Sequence, residues 1–137
     1  MPVALNHTIV WCTDKVRSAN FLAEMLGRPA PRSFLHFLIV DMDNGVSLDF
    51  YQQDKKPALQ HYAFLIGEDE FDRVLGRIEE KSLAHWADPA RTQANQINHH
   101  WGGRGVYFED PDGHLLEAIT RAYGDPSGIV QKTTKTA

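Results

Sequence analysis

The chain has 137 residues, a net charge of −4, and 42% hydrophobic residues including three tryptophans. That length suits one domain, or two small halves sharing a core, and an acidic balance with no basic run argues against nucleic acid as a partner. No apolar run reaches the about 20 residues needed to span a membrane. The opening MPVALNHTIV has neither a basic start nor a small-residue cleavage site. The single cysteine, Cys12, cannot form an internal disulfide, so a cytoplasmic protein is the simplest expectation.

Residues 4–12, ALNHTIVWC, form the first expected strand, with His7, Ile9 and Trp11 on one face and Thr8, Val10 and Cys12 on the other. Thr13-Asp14 is a helix N-cap signal. Val16, Ala19, Leu22, Ala23 and Leu26 then recur at helical spacing, and Gly27, Pro29 and Pro31 end the helix. Residues 33–41, SFLHFLIVD, are expected as one apolar strand. Asp43-Asn44-Gly45 marks a hairpin turn, and Val46–Gln52 pairs back with Ser47, Asp49 and Tyr51 on one face. A polar linker, 53–59, follows.

The pattern then begins again. Gln60–Ile66 is a strand with His61 near its start. Gly67 and the acidic Glu68-Asp69-Glu70 open a helix, where negative charge suits the N-terminus; Phe71, Val74, Leu75 and Ile78 form its apolar stripe. Residues 84–88 suit a short strand, and 89–103 a loop long enough to consider for function. Gly105–Glu109 and His114–Thr120 are strands joined by the turn Asp110-Pro111-Asp112-Gly113. In that turn Pro111 presets φ, Asp110 can bond its own backbone, and Gly113 suits the exit. Arg121–Ala137 is expected to be a disordered tail.

Glu117 is the odd residue. It stands mid-strand between Leu116 and Ala118, where a lone carboxylate is costly to bury. Either it faces water on a half-exposed sheet, or something compensates it, and a metal ion is one candidate. The chain's internal repeat bears on that choice. Each half runs strand, helix, then further strands; His7 and His61 begin the halves, and Asp49 and Glu117 sit in their last strands. The expected fold is α+β: two βαβββ modules forming a curved sheet cleft, in one domain over 1–120. The first module is about 1–53 and the second about 59–120, followed by the tail 121–137. If the two sheets face each other, His7, His61, Glu117 and Asp49 converge. Two imidazoles and a carboxylate with open positions suit a divalent Fe²⁺, Mn²⁺, Ni²⁺ or Zn²⁺.

Three stretches, LNHTIVWCTD at 5–14, HYAFLIGEDEF at 61–71 and GRGVYFEDPDGHLLEAI at 103–119, resemble the vicinal oxygen chelate superfamily. Its members include glyoxalase I, bleomycin-resistance proteins, extradiol dioxygenases and fosfomycin-resistance enzymes. The resemblance covers about Leu5 to Thr120. It implies paired modules, a homodimer, and a metal held at the positions of His7, His61 and Glu117. That metal binds a small-molecule substrate through adjacent oxygens and stabilises an anion on it.

Glyoxalases of this kind add a Glu ligand near the position of Asp49, which is one carbon shorter and stands as a ligand or base candidate. The fosfomycin enzymes are similar in length and motifs, but the chain lacks their Ser-rich potassium loop and has Ile9 where their metal-side threonine stands. His99 and His100, in the long loop, are candidate general bases or proton shuttles, and Tyr107 a candidate oxyanion donor. Trp11, Tyr51 and Trp101 are candidate pocket-lining residues, and Arg104 a cation for an anionic substrate. His36, His85 and His114 have no counterpart in the repeat and are expected to be structural.

The resulting expectation is a metal-dependent, dioxygenase-like enzyme. The alternatives are a glyoxalase-like lyase or isomerase, an epoxide-opening fosfomycin-resistance enzyme, and a metal-free drug-sequestering protein.

Overall fold

A computed structural model describes residues 2–124, so most of the expected tail lies outside the described residues. Eight strands and two helices follow one another as β1 (His7–Cys12), α1 (Lys15–Leu26), β2 (Arg32–Phe34), β3 (Phe37–Asp41), β4 (Ser47–Gln52), β5 (His61–Leu65), α2 (Glu68–Glu80), β6 (His85–Trp86), β7 (Gly105–Glu109) and β8 (Leu115–Ile119). The architecture is α+β, a twice-repeated βαβββ order. The chain divides into two compact units: residues up to Leu59 together with Asp110–Gly113, and Gln60–Glu109 with the residues from His114 on.

In the first unit the strands lie in the order β1-β4-β3-β2, with β1 parallel to β4. Asp14 caps α1 by accepting from the Arg17 amide. Gly27, at φ 66° in the left-handed region, closes it while the Arg28 amide reaches back to the Ala23 carbonyl. The buried face of α1 is Ser18, Ala19, Leu22, Ala23 and Met25. This differs from the stripe expected from spacing, since Val16 is 58% exposed. The reason is polar: the Ser18 hydroxyl faces inward and donates to Asp112, which turns that side of the helix toward the sheet. Residues 33–41 are two strands rather than one. Leu35 takes a left-handed φ of 53°, and β2 folds back on β3 with Phe34 opposite Phe37. The Asp43–Gly45 turn forms as expected, with Gly45 at φ 83° and the Met42 amide on the Val46 carbonyl.

The second unit repeats the plan as β5-β8-β7-β6, with β5 parallel to β8. Phe71, Val74 and Ile78 of α2 are buried. So are Val106, Phe108, Leu116 and Ala118, the residues of β7 and β8 that alternate onto the helix side. His114 is fully buried, and its Nδ1 accepts from the Gln60 amide at 2.9 Å. Its role is structural: it ties the start of β5 to the start of β8.

The turn between β7 and β8 closes through the Gly113 amide on the Asp110 carbonyl and the Asp112 amide on Asp110 Oδ1. Asp112, itself buried, accepts from the Thr13 amide, the Thr13 hydroxyl and the Ser18 hydroxyl. These bonds anchor the entry to α1. Beside them the Cys12 thiol is pushed up to about 11, first by burial and then by the negative charges of Asp112, Asp110 and Asp14.

Replacing Asp112 by Ala strands the buried Ser18 hydroxyl and the Thr13 amide. Asp112→Ala is expected to lower stability by about 2–3 kcal/mol, read as a lower urea midpoint at unchanged slope.

Candidate metal centre

The pairing register places one histidine and one acid alike in each unit. In the first, His7 lies beside Ser47 and Ile9 beside Asp49. In the second, His61 lies beside Leu115 and Ala63 beside Glu117. Each acid therefore stands two residues beyond its histidine's partner, on the same sheet face as that histidine. Across the antiparallel pairs, Ile39 is opposite Asp49 and Tyr107 opposite Glu117.

The second unit builds the stronger site. Glu117 does not face water; it is 1% exposed. Its Oε1 lies 3.1 Å from His61 Nε2, and its Oε2 accepts from the Tyr123 hydroxyl at 2.5 Å. His61 Nδ1 lies 3.0 Å from the Leu115 carbonyl. A carbonyl only accepts, so Nδ1 carries a hydrogen. In a neutral ring the Nε2 lone pair then points at a carboxylate oxygen. Two acceptors face each other, which demands a proton or a cation between them.

Tyr107 and Tyr123 complete the cluster. Their hydroxyls lie 3.1 Å apart, and the Tyr107 ring stacks near His61 at 6.1 Å. Burial foremost, then hydrogen bonds to Tyr123 and Glu117 and the negative charge of Glu117, push the Tyr107 phenol far up. Burial and the bond to Glu117 likewise raise that of Tyr123. Both phenols hold their protons across the physiological range.

The first unit differs. His7 is exposed, and its Nδ1 lies 2.8 Å from Asn6 Oδ1. As with His61, an acceptor holds Nδ1 and leaves Nε2 available. That is the arrangement metal-binding histidines use, with the second ring nitrogen tied to a fixed acceptor. Asp49 is buried and accepts from the Ser47 hydroxyl at 2.8 Å. Trp11 meets Tyr51 edge-on at 5.0 Å, and Phe37 lies 5.4 Å from Tyr51, so an aromatic group shares the face of Asp49. Among the described residues, no three His, Cys, Asp or Glu side chains gather as a group able to hold a metal. The pair His61–Glu117 does stand together.

The remaining candidates lie elsewhere. His99 and His100 are exposed, and among the described residues no hydrogen bond or ion pair joins them to Glu117. Trp101, half-buried, sits in a 3-10 turn, His100–Gly102, at a left-handed φ of 57°. The loop before it is stitched to β7 by paired amide bonds between Asn98 and Gly105. Gly105 permits this approach, since a Cβ there would come within 2.8 Å of Asn98 Oδ1.

Arg104 is directed to the helix side. It pairs with Glu68 at 2.8 Å and Asp72 at 2.9 Å and lies over the Phe71 ring, so it is not brought to the face of Glu117. Tyr123 is the residue that sequence reasoning missed. It falls in the segment expected to be disordered and outside the repeat, and its only signal is a lone aromatic six positions after Glu117 in a polar stretch.

The model for the Glyoxalase/Bleomycin resistance protein/Dioxygenase superfamily matches residues 4–118, and the chain belongs to that superfamily. Among solved structures it is similar to the oxidase ChaP-H1, with 54% identity and a TM-score of 0.88 over 90% of this chain and 99% of that one. It is also similar to the oxidase ChaP-H2, with 51% identity and a TM-score of 0.89 over 91% and 98%. The glutathione transferase FosA of Serratia marcescens is 28% identical over 120 residues, 83% of this chain and 78% of the relative. No helix among the described residues is long and apolar enough to cross a membrane.

The Thr120 hydrogen bond, and after it the Arg104 guanidinium, hold Glu68 below its ordinary 4.5. A depressed carboxyl stabilises the fold above its unfolded pKa and loses that contribution as pH falls through the folded value. The stability gap between wild type and Glu68→Gln should be open at neutral pH and close below about pH 4.5, as urea midpoints across pH would show.

Proposed function

We propose that this chain is a metal-dependent, dioxygenase-like enzyme. Its small-molecule substrate binds through adjacent oxygens to a divalent metal held by His7, His61 and Glu117. The observation that carries this is the facing pair His61 Nε2 and Glu117 Oε1, two acceptors 3.1 Å apart on a sheet face. The donor set fits a metal: a buried carboxylate, and two histidines whose Nδ1 atoms are already engaged. Two histidines and one carboxylate with open positions suit non-haem Fe²⁺ oxygen chemistry. The similarity to two oxidases over about nine-tenths of the chain supports oxidation over the other reactions of the superfamily.

A bound divalent metal would supply a Lewis acid for an anionic substrate oxygen. The chain's own residues do the rest. The Leu115 carbonyl fixes the His61 tautomer. Tyr107, protonated and buried, presents a hydroxyl near the same carboxylate. Trp11, Tyr51 and Phe37 offer an apolar wall on the face that carries His7. Asp49 is a base candidate whose Oδ1 the Ser47 hydroxyl already orients.

Thiol transfer to an epoxide is the second reading, favoured by the similarity to FosA. The engagement of Arg104 with Glu68 and Asp72 weighs against it, because that cation is already matched by two acids.

Elemental analysis of anaerobically purified, untagged protein tests the assignment. Near-stoichiometric metal is expected in wild type and its loss in Glu117→Ala. Iron with substrate-dependent oxygen uptake on catechol-type probes supports the oxidase reading. Manganese with thiol addition to fosfomycin supports the second. No metal in wild type even after reconstitution overturns both.

The protein is further proposed to act as a homodimer whose ligands come from two copies. The support is membership of the superfamily, whose resemblance implies a homodimer. Mixing His7→Ala with Glu117→Ala, each metal-free alone, should then restore metal to about a quarter of the sites under random pairing in a two-fold dimer. No recovery would place the three ligands in one chain.

A further inference from the structure

Tyr123 touches the site by one atom. Its side chain lies beyond β8 and the residue is 60% exposed, yet its hydroxyl donates to the buried Glu117 Oε2. A phenol has a single hydrogen, and that of Tyr123 is spent on Glu117. In the 3.1 Å bond between the two phenols, Tyr107 is therefore the donor. The result is a cluster of two phenols on one carboxylate: Tyr123 donates to Oε2, and Tyr107 is bonded both to Tyr123 and to Glu117. The carboxylate is divided: Oε2 accepts a charge-assisted bond from Tyr123, while Oε1 is turned to His61 Nε2.

We infer that Tyr123 is a positioning residue of the metal centre, holding Glu117 as a one-oxygen donor through Oε1 and withholding Oε2 from the cation. This rests on the reading of Glu117 as a metal ligand. The division has a chemical consequence. A carboxylate that lends one oxygen occupies one coordination position, and one that lends both occupies two. A metal meant to take two adjacent substrate oxygens needs the position that the second carboxylate oxygen would fill.

The first unit is an internal contrast. There Asp49 occupies the register of Glu117, but Ile39 stands where Tyr107 does, and the bond to Asp49 Oδ1 comes from Ser47 on the same strand. The phenol cluster belongs to the second unit's acid.

The test uses the full chain stripped of metal and titrated with Mn²⁺ alone, the free ion being followed by electron paramagnetic resonance. Co²⁺ is loaded in parallel for visible absorption, which weakens as coordination number rises. Wild type, Tyr123→Phe, Tyr107→Phe and Glu117→Ala are compared, each checked for a wild-type far-ultraviolet spectrum. Tyr123→Phe is expected to show weaker Co²⁺ bands, because Oε2 is released to the metal and raises its coordination number. Tyr107→Phe, which removes that phenol's bonds to Tyr123 and to Glu117, should weaken the Co²⁺ bands in the same direction.

An unchanged Co²⁺ spectrum in Tyr123→Phe, while Glu117→Ala binds neither ion, would overturn the role of Tyr123 and leave the metal site standing. Wild-type binding by Glu117→Ala would overturn the metal site itself.

Discussion

The second unit depends on keeping one carboxylate out of water. Glu117 lies within a sheet whose other face is packed with Val106, Phe108, Leu116 and Ala118, and an isolated charge there carries a desolvation cost of several kcal/mol. The fold meets that cost with directed groups rather than with a neighbouring cation. A phenol donates to one oxygen, and an imidazole with its far nitrogen anchored stands against the other. Arg104, the nearest strand-entry cation in sequence, goes to the opposite face and is matched there by Glu68 and Asp72. Beside Glu117, a proton on His61 Nε2 or a cation between the two groups matches the remaining charge.

The duplication explains why such a site can arise at all. A parallel pair between the first and last strand of each unit sets a histidine and an acid two residues apart in register. The backbone frame is common to both units, and the side chains make them unequal. Glutamate reaches one methylene farther than aspartate. Tyr107 faces Glu117 where Ile39 faces Asp49. Asp49 keeps a local partner in Ser47, whereas Glu117 draws its partners from β5 and from beyond β8. The same geometry therefore yields an acid with a local partner in one unit and an acid held by groups from other elements in the other.

Much of this was legible in the residues. The Asp-Pro-Asp-Gly turn, the αL glycine after α1, the apolar stripe of α2 and the paired histidines and acids are all local or periodic signals, and each corresponds to a feature of the structure. What was not legible depends on partners distant in sequence. The reversal at Leu35 contains no glycine or asparagine, so an apolar run hid a left-handed turn. The inward face of α1 follows from the bond between Ser18 and Asp112, far along the chain. The destination of Arg104 is decided by two acids on α2, and strand alternation hints at its face without showing its partners. Tyr123 belongs to no element, and it contributes through one hydroxyl, bonded to Glu117 and to Tyr107, which leaves no periodic trace.

That last case bears on how chemistries diverge within one superfamily. A fold of this kind carries many reactions, so the ligand triad by itself decides little between an oxidase and a thiol transferase. The groups that can decide are those that set how many positions a metal keeps open and what charge meets the substrate. In this chain those groups are Tyr107 and Tyr123 behind Glu117, and an arginine withdrawn to the helix side. The first bears on how many positions a metal bound there would keep open. The second removes a cation that an anionic substrate would need. Arg104 and Tyr107 lie within the 103–119 stretch that carries the superfamily resemblance, whereas Tyr123 lies outside it.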